Sequence, residues 1–234
     1  MCYNKGSIFK EVTCMCNGES IGLLGGISAR RSCRAFKQTQ LNPALLKSVF
    51  EYATFSPSAK NTQPWEVYVL TGDKLQGLKD RCQAALAAGE ASAPQSGGIT
   101  KRALLTRARE LGSEMLPFVE KQGWQRSELV KRSLNFFDAP AAAIICIDEP
   151  VIPFHLLDAG AFMQTLALSA TGHGLATCII GYTLIVGKAI AEFLELPPER
   201  HIVVTMAIGF PDREQPMAQF ESSRAELDEN IHFM

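Results

Sequence analysis

Three guanidinium groups stand within five positions in the stretch SARRSCRAF, at Arg30, Arg31 and Arg34, with Ser32 among them. Like charges this close repel, and a solvated helix face ordinarily interleaves acids among its bases. The whole chain is almost neutral, with 23 Lys and Arg against 24 Asp and Glu, so the crowding is local. Arginine forks grip phosphate oxygens in pairs, and a serine hydroxyl adds one more donor. The stretch is therefore either an exposed helix start or one wall of a site for a strongly anionic group.

The other residue types that do chemistry are poorly arranged for working alone. No G-x-G-x-x-G follows a strand, and GLLGG at 22–26 lacks the lysine of a phosphate loop. The histidines at 155, 173, 201 and 232 form no H-E-x-x-H pair, and no G-x-S-x-G elbow occurs. Of seven cysteines, Cys14 and Cys16 make a lone C-x-C, while Cys146 and Cys178 sit in apolar runs and read as buried thiols. With neither a metal set nor an activated nucleophile, hard chemistry here belongs to an organic cofactor. A net charge of -1 advertises no surface for nucleic acid. The apolar region from 156 to 190 is interrupted by Asp158, Gln164 and His173, so a membrane span is not expected. The scattered cysteines point to a reducing cytoplasm.

These residues need a scaffold, and the pattern supplies alternating elements. Asn42 and Pro43 cap a helix with Leu45, Leu46, Val49, Phe50 and Ala53 on one face, ending near Ser56. WEVYVLTG alternates as a strand, 74–88 is helical, and 89–98 is a polar loop. A charged helix follows over 100–120, then a buried strand in APAAAIICID. DAGAFMQTLALSATGHG, 158–174, is a helix apolar nearly all round. LATCIIGY reads as a strand, GKAIAEFLELP as a helix, and HIVVTMAIGFP as a long strand ending in a turn. Residues 1–20 read as a flexible lead-in, and 21–234 as a single α/β domain.

Five motifs occur in order: RRSCRAF at 30–36, SPSAKNTQPW at 56–65, GLATCIIGY at 174–182, AIGFPD at 207–212, and Arg224 in the tail. Together they resemble the nitroreductase family of FMN-dependent oxidoreductases, over nearly the whole chain from about Ile27. The resemblance implies an α+β fold, with a mixed, mainly antiparallel sheet flanked by helices in an intertwined homodimer. It implies that Arg30 and Ser32 hold the FMN phosphate, joined by Arg224 from the tail, and that Arg34 lies beside the flavin's N1–O2 edge. A cation there would stabilise the negative charge that builds up on reduction. Ser58, Asn61 and Gln63 are implied beside the flavin, whose pyrimidine edge amide side chains can match. The backbone of Ile180 and Gly181 is implied near N5, where a missing Cβ permits close approach. Trp65 is expected in the core. Some relatives carry a second basic residue where this chain has Ser222, so the grip leans harder on Arg30, Arg31 and Arg224.

The activity implied is ping-pong electron transfer from NAD(P)H to nitroaromatics, quinones or similar electron-poor aromatics, with no side chain needed as acid. The homodimer would carry FMN at its interface, with the helix of 158–172 as its core. The same motifs also occur in reductive dehalogenases of iodotyrosine type and in an enzyme that cleaves FMN. A flavin-binding redox sensor using Cys14 and Cys16 is the non-enzymatic alternative. Substrate recognition is expected in 89–135, where GWQRSELVKR would act as a lid.

Overall fold

The computed structural model describes residues 14–16, 19–92 and 101–234, with side chains described from Gly22 onward. The start of the lead-in, the side chains of Cys14 and Cys16, and most of the 89–98 loop lie outside the described residues. In chain order the elements are β1 (Cys14–Cys16), β2 (Glu19–Ile21), α1 (Leu23–Ala29), α2 (Pro43–Ala53), β3 (Trp65–Thr71) and α3 (Gly72–Ala87). Next come α4 (Arg102–Lys121), α5 (Leu129–Leu134), β4 (Ala141–Asp148), α6 (Pro153–Gly172), β5 (Ala176–Ile180) and α7 (Gly187–Phe193). The chain closes with β6 (Arg200–Gly209), α8 (Pro216–Gln219) and α9 (Leu227–Asn230).

Four strands form the central sheet in the order β3-β4-β6-β5, every pair antiparallel. A separate antiparallel pair joins β1 to β2. A parallel bridge joins Ser32 to Thr177 on β5. Side chains alternate across a strand, so a strand covered on both faces must be apolar at every position. β4 meets that condition, being buried from Ala141 through Ile147. Its Ala142, Ile144 and Cys146 pack into a cluster with Leu75, Leu78 and Cys82 of α3 and Ile190 of α7. Its Ala141, Ala143 and Ile145 pack instead with Leu46 and Val49 of α2 and Phe162 and Leu166 of α6. Each fully buried aliphatic side chain of this kind contributes about 1.5–3 kcal/mol, an upper figure because unfolded chains are partly collapsed. Trp65 belongs to the second cluster, stacked on Phe162 with ring centroids 4.9 Å apart.

The expected helices and strands are present, with shifted ends. α2 opens as its residues dictate: Asn42 Oδ1 accepts the Ala44 N–H at 2.8 Å and Pro43 takes the first position. α6 begins at Pro153 rather than Asp158, because proline suits a first turn and leaves no helical donor unmade. The added turns are apolar and uncovered, with Phe154, Leu156 and Leu157 exposed. α7 stops at Phe193, before the proline pair, with Glu195 in the left-handed region at φ 53. α1 was not expected, since two glycines weaken its helical signal. No helix among the described residues is long and apolar enough to cross a membrane.

The arginine segment is clipped to the sheet at both ends. The Cys33 N–H donates to the Thr177 carbonyl at 2.9 Å, beside the Ser32 bridge. Downstream, the Lys37 N–H donates to Phe210 at 2.9 Å and the Asp212 N–H to Ala35 at 3.1 Å. Gly209 makes this second clip possible. A Cβ there would lie 2.6 Å from Cδ of Pro140 and 3.0 Å from Cδ1 of Phe36.

Candidate active site

Arg30 follows α1 directly, and its N–H closes the helix on the Gly26 carbonyl at 3.0 Å. Burial first, then the charges of Arg224 and Arg31, push its guanidinium below the ordinary arginine value. The charge of Arg224, from the far end of the chain, thus acts on Arg30, and among the described residues no carboxylate pairs with either. Arg224 is aimed by its own segment: Nη1 donates to the carbonyls of Ser222 and Ser223 and to Ser222 Oγ at 2.6 Å. That segment is in turn tied to α4. Glu114 accepts from Ser223 Oγ at 2.6 Å and from its N–H at 3.2 Å, which holds the Glu114 carboxyl below the usual range. Arg107 pairs with Glu229 at 2.6 Å further along.

Arg31 points elsewhere. It reaches Glu221 at 3.5 Å and lines a cavity of about 310 Å³ with Cys33, Arg213 and Gly174, its Nε buried without a partner. Arg34 faces a different cavity of about 330 Å³, together with Ile180 and Gly181. Its guanidinium donates to the Ser32 carbonyl at 3.3 Å and lies over the Phe220 ring, 5.8 Å from the centroid. Phe220 is braced edge-on by Phe118 of α4, ring centroids 5.4 Å apart.

The floor of this second cavity is locked from below. Two buried hydroxyls, Thr183 Oγ1 at 2.9 Å and Thr205 Oγ1 at 3.3 Å, donate to the Ile180 carbonyl, and they lie 2.9 Å from each other. A trans peptide points its N–H opposite to its C=O. The Gly181 N–H is therefore turned away from the threonines. Gly181 has φ -77, and a Cβ built on it meets no atom within 4 Å. Nothing in the fold itself requires glycine there. Cys178 also touches this cavity, and burial pushes its thiol up to about 11, as it does for Cys33.

The roof comes from within 89–135, the stretch expected to recognise substrate, although none of its residues was singled out there. Leu111, Met115 and Val119 of α4 recur at helical spacing and turn their stripe to the cavity, with Leu129 beside them. Arg126 completes the lining from the short turn before α5. The segment expected as a lid, GWQRSELVKR, lies at this cavity, with Arg126 and Leu129 in the lining. Trp124 joins the core, Arg132 lies over its ring at 4.8 Å, and Leu134 is buried.

Ser58, Asn61 and Gln63 form a separate loop. Ser58 Oγ accepts the Gln63 N–H at 3.0 Å, and Gln63 Nε2 donates to the Asn61 carbonyl at 3.3 Å. Lys60, Asn61 and Gln63 all have left-handed backbones, at φ 52, 57 and 47. Such residues cost of order 1–3 kcal/mol each and persist only where surroundings enforce them. At the start of this loop the buried Asp158 carboxylate accepts the Ala59 N–H at 3.1 Å. No residue of this loop lines the cavity of Arg34 and Gly181. One chain thus puts Arg34 with Ile180 and Gly181 at one cavity, Arg31 at a second, and Arg224 at a third of about 660 Å³ with Arg102 and Arg107, while 58–63 stands apart.

Comparison with known proteins agrees with this architecture. The sequence pattern described as "Nitroreductase family" matches residues 27–210. The chain is 30% identical to 4-nitrobenzoate reductase of Pseudomonas putida, over 89% of this chain and 93% of that protein. It superposes on the FMN and NADPH-dependent nitroreductase NfnB from Sphigopyxis sp. strain HMH with TM-score 0.85 and 25% identity, covering 92% and 99% of the two chains. The FMN-dependent NfnB from Mycobacterium smegmatis, solved in complex with NADPH, gives TM-score 0.80 at 26% identity, covering 89% and 96%. Motif order, sheet topology and these likenesses agree, and the chain belongs to the nitroreductase family.

Proposed function

We propose that this chain is an FMN-dependent oxidoreductase that passes electrons from NAD(P)H to nitroaromatics, quinones or similar electron-poor aromatics by a ping-pong route. The observation that carries the proposal is the cavity that Arg34 shares with Ile180 and Gly181; the charges of Arg30 and Arg224, felt by one another and met by no carboxylate among the described residues, support it.

The residues fit FMN on three counts. Two guanidinium groups without carboxylate partners suit a dianionic phosphate, which would relieve their mutual repulsion. Arg34 is held by Ser32 and Phe220 where it can offset negative charge on a ring in the slot. Glycine at 181, unneeded by the packing, leaves room for a flat ligand against the backbone. When bound, FMN supplies hydride acceptance and electron donation, the chemistry that no side chain here can perform.

The protein's part is placement. Thr183 and Thr205 fix the Ile180 carbonyl inward, so the Gly181 N–H is presented as a donor without reorganisation. The α4 stripe keeps water off the slot and supplies an apolar face for an aromatic acceptor. Ser58, Asn61 and Gln63 take their cofactor role from a second copy of the chain. The apolar side chains left uncovered on α1 and α6, with Leu24 80% and Leu157 66% exposed, support a homodimer. Binding donor and acceptor in one slot, in turn, makes the kinetics ping-pong.

The test is anaerobic. The purified protein should carry a yellow flavin that NADPH or NADH bleaches, with the donor product released before the acceptor enters. A nitroaromatic or quinone should restore the colour, and initial rates should give parallel double-reciprocal lines. A protein that binds FMN but is bleached by neither nicotinamide does not have this function.

A further inference from the structure

The cavity of Arg34 and Gly181 contains a second cation that the family motifs do not account for. Arg126 stands on the turn between α4 and α5 and lines the slot with Leu111, Met115 and Leu129. Its Nη2 lies 3.4 Å from where a Cβ of Gly112 would be, so the guanidinium rests over α4 at a residue without a side chain. Among the described residues no carboxylate lies within ion-pair distance of it. Its neighbours across the lining are mostly aliphatic, aromatic or thioether groups, together with Ser133, the Cys178 thiol, the Tyr182 phenol and Arg34. The residue as a whole is exposed, which puts it at the open mouth.

An unpaired guanidinium at the mouth of an apolar slot selects for a ligand with an apolar body and an anionic end. We propose that Arg126 is a specificity determinant that recognises the carboxylate of an electron-poor aromatic acceptor, so that nitrobenzoates are preferred over neutral nitroarenes. The proposal rests on the oxidoreductase reading above. The ring lies among Leu111, Met115 and Leu129, and the carboxylate meets the Arg126 fork at the mouth. Arg34 cannot substitute, because it is already oriented by Ser32 and Phe220. No bond is made or broken at Arg126; its effect is on binding and orientation alone.

Two measurements test this on the FMN-loaded protein. In the first, the visible spectrum of the oxidised flavin is titrated with benzoate and with benzamide, which involves no turnover. Benzoate should bind about tenfold or more tightly than benzamide, the scale of one charge-assisted hydrogen bond, and added salt should narrow the gap. Equal binding of the two overturns the proposal. In the second, kcat/KM is compared for 4-nitrobenzoate and nitrobenzene in Arg126→Met and Arg126→Lys. The 4-nitrobenzoate to nitrobenzene ratio should fall about tenfold or more in the first variant and recover partly in the second. An unchanged ratio, or loss of NADPH affinity in place of benzoate affinity, also overturns it. If the parent protein takes up no FMN or is not reduced by NAD(P)H, the oxidoreductase reading fails instead, and that is seen before any variant is made.

Discussion

A carbonyl that accepts two buried hydroxyls is costly to disturb, and Ile180 is such a residue. Thr183 and Thr205 are each fully buried, so removing one hydroxyl leaves a polar atom short of a partner where water cannot replace it. Thr183→Val, nearly equal in volume, should destabilise the protein by about 1–3 kcal/mol, read by urea unfolding. Thr183→Ser should recover most of that loss. Equal stability of Val and Ser variants would show that the hydroxyl does not hold the Ile180–Gly181 peptide. At this scale the site was partly legible. Arginines, serine and glycine announce themselves by type, and Arg30, Arg34 and Gly181 were named from motif order. The threonines were not, because a hydroxyl inside a strand or turn looks like any other until its partner, 22 residues away, is known. Arg126 lacked any local pattern, and its place is set by the short turn that returns the chain from α4 to α5.

Elements decide where those residues end up, and the clip at Gly209 is the clearest case. It joins the end of β6 to the arginine segment by letting Pro140 and Phe36 come within contact of a backbone. Gly209→Ala should cost about 1–3 kcal/mol as an overpacking defect, and it should weaken flavin retention as well, because the segment it displaces carries Arg34. Thermal unfolding and FMN dissociation measured together check this; an alanine variant as stable and as yellow as the parent would contradict it. The strands were the most legible elements. Alternation in β3 and the continuous apolar run of β4 follow from the number of faces each must bury. Ends were less so: α6 starts with apolar turns that no described residue covers, and their helical state depends on Pro153 rather than on a buried stripe. α1, with glycines in its middle, carries no periodic signal, and it lies against α6.

Across the whole molecule the buried thiols set a pH dependence. Burial raises Cys33 and Cys178 to about 11 and Cys82 and Cys146 to about 12, from an ordinary 9.0. The folded state therefore keeps its thiol protons after the unfolded chain has begun to lose them. The associated stability is fully present below pH 9 and falls as the pH rises from 9 toward 11 or 12. Each thiol contributes a slope of about 1.4 kcal/mol per pH unit across that window. Urea midpoints should hold level from pH 7 to 8.5 and drop steeply by pH 10, and Cys82→Ala should flatten the drop whatever its effect at pH 7. The same burial predicts slow reaction of these thiols with iodoacetamide until the protein unfolds.

The central claim is that Arg30 and Arg224 close on one phosphate from the two ends of the chain. The most direct measurement is the affinity of flavin-free protein for FMN and for riboflavin, which differ only in that phosphate. FMN should bind much more tightly than riboflavin to the parent protein. Arg30→Ala and Arg224→Ala should each shrink that difference by about 1–3 kcal/mol while leaving riboflavin binding nearly unchanged. If both variants keep the parent's FMN-to-riboflavin ratio, the two arginines do not hold a phosphate, and the account of this site is wrong.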